Sequence, residues 1–162
     1  ANNLHSVLFV GSNFCFAVGA GGIILKSTNA GVNWITMNSG VTNDLNGIVL
    51  NGTGLFVCGS NGVVRYLPTV IETNWQSRDI GSNVNLNSIY ASTSLTLTVV
   101  GSTGKIFTSS NGGTSWQNVS SPTENDLTSI SSTWVSGYNG IVLNNVSGSW
   151  VSVPVITTVD LL

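Results

Sequence analysis

Apolar and polar residues alternate in short runs that break at glycine, asparagine or serine. The first four runs are Leu4 to Val10, Phe14 to Gly19, Ile23 to Ser27 and Asn33 to Met37, separated by Gly-Ser-Asn, Ala-Gly-Gly and Asn-Ala-Gly turns. Such runs bounded by turn-formers predict strands, and no 3.6-residue period competes with them. The block of four runs then recurs. Leu4, Leu45, Leu86 and Leu127 stand 41 residues apart, each with an aliphatic residue three places on, Val7, Ile48, Ile89 and Ile130, which is expected to be buried. Each segment runs into a Gly-x-x-Gly turn, Gly19 to Gly22, Gly59 to Gly62, Gly101 to Gly104 and Gly137 to Gly140, and then to a tryptophan, Trp34, Trp75, Trp116 or Trp150. The distance from tryptophan to the next leucine is 11 residues every time, counting Leu161 after Trp150. The fourth copy is shorter, at 34 residues, and its deletions fall in turns, as in a true repeat.

Four short antiparallel strands per repeat of about 41 residues is the sequence form of an all-β fold, the β-propeller, in which each repeat is one four-stranded blade. The blades are expected at 4–44, 45–85, 86–126 and 127–160 of a single domain, with the tryptophans packed between or within them. Four repeats either close as a four-bladed ring or form part of a larger propeller completed by further chain or another copy. A β-sandwich of many short strands predicts no such repeat.

Ser27-Thr-Asn29-Ala-Gly31-Val-Asn-Trp34 and Ser109-Ser-Asn111-Gly-Gly113-Thr-Ser-Trp116 resemble the Asp-box, or bacterial neuraminidase repeat, Ser-x-Asp-x-Gly-x-x-Trp. The preceding Val18-Gly19 and Val100-Gly101 resemble the linked Val-Gly-x-x-Gly pattern of the photosystem II assembly-factor type of propeller. The second repeat keeps only Trp75 of the motif and the fourth a shortened version ending at Trp150. Both clean copies carry Asn in place of Asp, which retains a carbonyl for the turn amides and drops the charge. The motif therefore reads as structural: Asn29 and Asn111 form Asx-turns, Gly31 and Gly113 take positive φ, and the tryptophan buries its ring.

Composition narrows the function classes. Only 6% of the residues are charged, and the net charge is −2 with four Lys and Arg in all. Nucleic acid and anionic membrane both demand a basic footprint that this chain lacks. No apolar run approaches the roughly 20 residues of a membrane span. A surface of Asn, Ser, Thr and Gly points to an extracellular or virion setting. Cys15 and Cys58 lie on opposite faces of their strands and read as small buried apolar residues, not as a disulfide.

Catalytic constellations are poorly supplied. His5 is the single histidine, so any Ser-His-Asp or Cys-His arrangement must use it, and one His with two separated Cys cannot make a zinc site by themselves. Sialidase, the enzyme class sharing the Asp-box, needs an arginine triad, whereas only Arg65 and Arg78 are present. Paired-carboxylate hydrolysis would draw on Asp44, Glu72, Asp79, Glu124, Asp126 and Asp160, with nothing to place an acid beside a nucleophile. A regular polar feature remains. The residue before each repeat leucine is Asn3, Asp44, Asn85, Asp126 and finally Asp160, on loops that share a propeller face with the turns Ala20-Gly21, Ser60-Asn61, Ser102-Thr103 and Tyr138-Asn139. These residues either cap strand starts or form a hydrogen-bonding mouth centred on Asn61, Thr103, Tyr138 and Asn139, with Asp44 and Asp126 at the rim. The expected function is a non-enzymatic binding module, of the phage tail-fibre, knob or decoration kind, contacting other protein subunits or a surface glycan without cofactor or metal. The alternatives are a sialidase-like or other glycoside hydrolase, and an assembly-factor-like scaffold. Lys26, Arg65, Arg78 and Lys105 fall at non-equivalent repeat positions and do not build the arginine-rich patch that the assembly-factor resemblance implies.

Overall fold

The computed structural model describes residues 2–154, so the Asp160 and Leu161 positions of the repeat lie outside the described residues. Four antiparallel sheets of four strands each follow one another along the chain. Blade 1 holds β1 (Leu4–Val10), β2 (Phe14–Gly19), β3 (Ile24–Ser27) and β4 (Ile35–Met37). Blade 2 holds β5 (Leu45–Asn51), β6 (Gly54–Gly59), β7 (Val64–Leu67) and β8 (Gln76–Ser77). Blade 3 holds β9 (Leu86–Ala91), β10 (Leu97–Gly101), β11 (Ile106–Ser109) and β12 (Gln117–Val119). Blade 4 holds β13 (Leu127–Ser131), β14 (Trp134–Gly137), β15 (Val142–Val146) and β16 (Ser149–Ser152). Strand order within each blade is the order in the chain, as alternating runs joined by tight turns require.

Each blade has two faces, and the register assigns residues to them. Ile48, Val57 and Arg65 form a row across blade 2 on the side toward blade 1, the incoming face; Val49, Phe56 and Tyr66 form a row on the opposite, outgoing face. Three apolar clusters result, one per junction. Phe16, Val18 and Ile24 of blade 1 meet Leu45, Ile48 and Val57 of blade 2. Phe56, Cys58 and Val64 meet Leu86, Ile89 and Val99. Val100 and Ile106 meet Leu127, Ile130 and Val135. Cys15 and Cys58 are free and buried, and burial pushes the Cys58 thiol up to about 12, so it acts as a packing group.

The inner strands pack in the series β1 on β5, β5 on β9 and β9 on β13, with no comparable packing of β13 on β1. The blades therefore make an open arc. This corrects one sequence expectation: Ile48, Ile89 and Ile130 are 9%, 6% and 7% exposed, but their equivalent Val7 is 71% exposed. It occupies the incoming face of blade 1, which no blade covers among the described residues. The same cause corrects the expectation for Trp34, which is 39% exposed, whereas Trp150 is 8% exposed and Trp75 and Trp116 pack against the junction clusters.

The Gly-x-x-Gly turns are β-turns whose two central residues both have positive φ, and they close sterically tight corners. At Gly101, an added Cβ would collide with the carbonyl of Asn85; at Gly104, with φ +66°, it would collide with that of Thr123. The turns toward Trp34 and Trp116 use identical bonds. Ser27 Oγ accepts from Gly31 N at 2.9 Å and Asn29 Oδ1 from Asn33 N at 2.9 Å; Ser109 Oγ accepts from Gly113 N at 2.9 Å and Asn111 Oδ1 from Ser115 N at 3.0 Å. Blade 2, whose β8 has two residues, solves its edge differently. Asp79 Oδ1 takes the Val64 N–H at 2.8 Å, the Arg65 guanidinium pairs with the same carboxylate, and Ser77 Oγ donates to Oδ2 at 2.8 Å. Burial works to raise the Asp79 pKa, but these bonds and the Arg65 charge outweigh it and hold the carboxyl below its ordinary value.

Gly104→Ala is expected to lower unfolding free energy in urea by at least about 2 kcal/mol, from a strained φ plus a backbone collision. Gly11→Ala, with φ +63° but nothing near its Cβ, should show only the conformational part, about 1 kcal/mol. Asp79→Asn should destabilise at neutral pH. Because the folded pKa is depressed, the wild-type advantage is full above the unfolded value near pH about 3.9 and disappears as pH falls through the folded pKa. Urea midpoints of both proteins from pH 7 to pH 2 check this; parallel curves would refute it.

Candidate functional site

The residues singled out for the mouth lie at the interblade turns, where main-chain N–H groups bond across each junction. In every Gly-x-x-Gly turn the third residue is left-handed: Gly21 (φ 67°, ψ 25°), Asn61 (57°, 38°), Thr103 (53°, 38°) and Asn139 (58°, 29°). That conformation turns its N–H outward toward the following blade, where the residue before the repeat leucine waits. Gly21 N donates to Asp44 Oδ1 at 2.8 Å, Asn61 N to Asn85 Oδ1 at 3.2 Å and Thr103 N to Asp126 Oδ1 at 2.7 Å. The main-chain carbonyl of the same Asx residue accepts from its own blade's turn: Ser60 N to Asp44 O, Ser102 N to Asn85 O and Tyr138 N to Asp126 O, each at 2.9 Å. One Asx residue thus pins two blades. Asp44 and Asp126 spend a carboxylate oxygen on this joint, so strand capping and the polar mouth are the same structure.

The arc divides the mouth into junctions. Asp126 links Thr103 and Tyr138 at the junction of blades 3 and 4, with Asn139 Nδ2 donating to Asn125 Oδ1 at 3.1 Å. Asn61 belongs to the junction of blades 2 and 3, and Asp44 to that of blades 1 and 2. Beside Thr103 lies a concavity of about 510 Å³ that Lys105, Asn118, Ser121 and Glu124 also line. Lys105 and Glu124 are additions that the repeat could not reveal, because neither has a charged counterpart in the other blades.

A second interblade series was also missed in the sequence. The residue after each repeat leucine reaches the next blade's leucine carbonyl: Asn46 Nδ2 to Leu86 O and Asn87 Nδ2 to Leu127 O, both at 2.8 Å. His5 holds the same place in blade 1, with Nδ1 at 3.1 Å from Leu45 O and 3.2 Å from Asn46 Oδ1. Both partners are carbonyl oxygens, so Nδ1 carries the proton and donates. The single histidine is a structural rung. The signal was available as the polar series His5, Asn46, Asn87 and Thr128 at the 41-residue period.

No family model and no curated protein matches the sequence. Solved structures do. YCF48 from Cyanidioschyzon merolae is similar with a TM-score of 0.76 at 18% identity, over 93% of this chain and 56% of that one. YCF48 bound to D1 peptide gives 0.68 at 11% identity, over 92% and 66%. A GH74 enzyme of Niastella koreensis gives 0.63 at 18% identity, over 93% and 24%. The chain therefore spans no more than two thirds of the YCF48 chains and about a quarter of the GH74 enzyme.

Asp126→Ala should cost about 1 kcal/mol by removing the acceptor of the Thr103 N–H, read as a lowered urea midpoint, whereas Glu124→Ala, which has no such joint, should leave the midpoint unchanged. With four stacked antiparallel blades, a shared joint at every junction and these structural likenesses, the chain is an all-β protein with the β-propeller fold.

Proposed function

We propose that the chain is a non-enzymatic binding propeller that holds a segment of another protein at its mouth, at the junction of blades 3 and 4. One observation carries the reading. The left-handed position of the turn is met by glycine in blade 1, yet blades 2, 3 and 4 place Asn61, Thr103 and Asn139 there. A β-branched residue at φ 53° is an outlier that the scaffold does not require, since Gly21 makes the same joint. Strain retained where glycine would relieve it points to use of the side chain. Thr103, exposed Tyr138, and Lys105 and Glu124 of opposite charge offer a polypeptide its own kinds of partner: amide, hydroxyl, aromatic face and both signs of charge. The fold carries a peptide in the similar YCF48 structure bound to D1 peptide. Asp44 and Asp126, two of the six carboxylates a hydrolase would draw on, are engaged in joining blades. The low charge and the amide- and hydroxyl-rich surface favour an extracellular or virion setting, as in a tail-fibre or decoration protein.

An array of overlapping peptides together with an array of neutral glycans tests the proposal. Wild-type protein is expected to bind peptides, and Tyr138→Ala should weaken that binding at least tenfold with an unchanged thermal midpoint. Thr103→Gly should weaken it likewise while leaving stability unchanged or raised by up to about 1 kcal/mol. Binding to glycans alone would overturn the protein reading. Turnover of a chromogenic glycoside panel, lost in Asp126→Ala, would overturn the non-enzymatic one.

A further inference from the structure

The incoming face of blade 1 has the chemistry of three surfaces that this molecule buries. Val7, Ala17 and Leu25 form the row that Ile48, Val57 and Arg65 form in blade 2, Ile89, Val99 and Phe107 in blade 3, and Ile130, Val135 and Leu143 in blade 4. With Leu4 and Trp34 it makes an open, mainly apolar concavity of about 770 Å³. Each equivalent surface is covered by one kind of partner, the outgoing face of a four-stranded blade, so the occupant is defined by the three internal junctions.

At the other end of the arc, blade 4 presents an outgoing face. Trp134 stands where Phe16 and Phe56 do; those rings are 0% and 2% exposed against the next blade, and Trp134 is 48% exposed. Val142 stands where Ile24, Val64 and Ile106 are wholly buried. Serines at 129, 131 and 136 make this face more polar than that of blade 1, but the mixed outgoing face of blade 3 shows that such a surface still packs. There Ser88 Oγ accepts from Ile130 N at 3.3 Å while Val100 and Ile106 fill the apolar part. Ser129 occupies the place of Ser88, and Val7 that of Ile130. Asn3 carries the side-chain oxygen that Asp44, Asn85 and Asp126 offer to a preceding turn.

We propose that the incoming face of blade 1 docks on the outgoing face of blade 4 of a second copy of this chain, a head-to-tail junction that repeats the internal ones. Each junction pairs unlike faces, and two of them related by a two-fold axis close a ring of two chains. This inference does not rest on the mouth, because Val7 and Trp134, whose substitution tests it, are not mouth residues.

Sedimentation velocity of the 162-residue chain at increasing concentration tests it, with far-UV circular dichroism to confirm folding. Wild type should reach twice the 16.8 kDa chain mass. Val7→Asp and Trp134→Glu, both at exposed positions, should each remain folded and associate at least tenfold more weakly. Mixed together they should recover a dimer, because one intact incoming face and one intact outgoing face remain. A folded wild type that stays monomeric overturns the proposal. So does a dimer abolished by Val7→Asp but untouched by Trp134→Glu, which marks two blade 1 faces meeting each other.

Discussion

Every blade depends on burying its faces against neighbours. A four-stranded sheet of some thirty residues has too little interior of its own, so stability arises at the junctions. This requirement explains why β5 is buried at four of its seven positions while β1, its counterpart at the end of the arc, alternates between exposed and half-buried. Strands covered on both sides lose their polar alternation; a strand at the end of the arc keeps the same apolar residues and shows them to solvent.

The polar part of each junction is built from backbone groups, side-chain amides and, at Asp44 and Asp126, a single carboxylate. Gly-x-x-Gly lets the incoming loop approach to contact and aims one N–H across the gap, and the Asx residue answers it. The amide of Asn46 or Asn87, or the imidazole of His5, ties the adjacent inner strand. None of these bonds needs an ion pair. The one ion pair among the described residues, Arg65 with Asp79, serves an edge where β8 is too short to complete the ladder.

The fold was legible because its determinants recur with the period: leucines, glycines and tryptophans mark strand starts, close approaches and junctions. The strands of blade 1 fall within two residues of the runs read from the sequence. Val7 and Trp34 were misread because a repeat reports what a residue is and not whether its neighbour blade is there. The mouth residues were read as a polar set, and their interblade joints were not legible, since the bonding group is the turn N–H, which carries no side-chain signature. Lys105 and Glu124 come to line one concavity only through folding. Thr103 gave no hint of its left-handed backbone, because glycine, asparagine and threonine occupy the same place in different blades.

These two levels of constraint separate what must stay constant from what is open to change. Sheet faces are specified residue by residue, since a polar group placed at Val57 or Leu86 would be buried without a partner. At the three internal joints the turn tips are specified through their main chain: the donor is the N–H of Gly21, Asn61 or Thr103 and the acceptor an Asx oxygen. A scaffold held by backbone bonds can therefore exchange side chains at its mouth without disturbing the junction beneath, subject only to the strain of positive φ. At that position Asn61 and Asn139 accept the left-handed backbone readily while Thr103 carries strain that glycine would relieve, so the same joint is met by three residue types at different conformational cost.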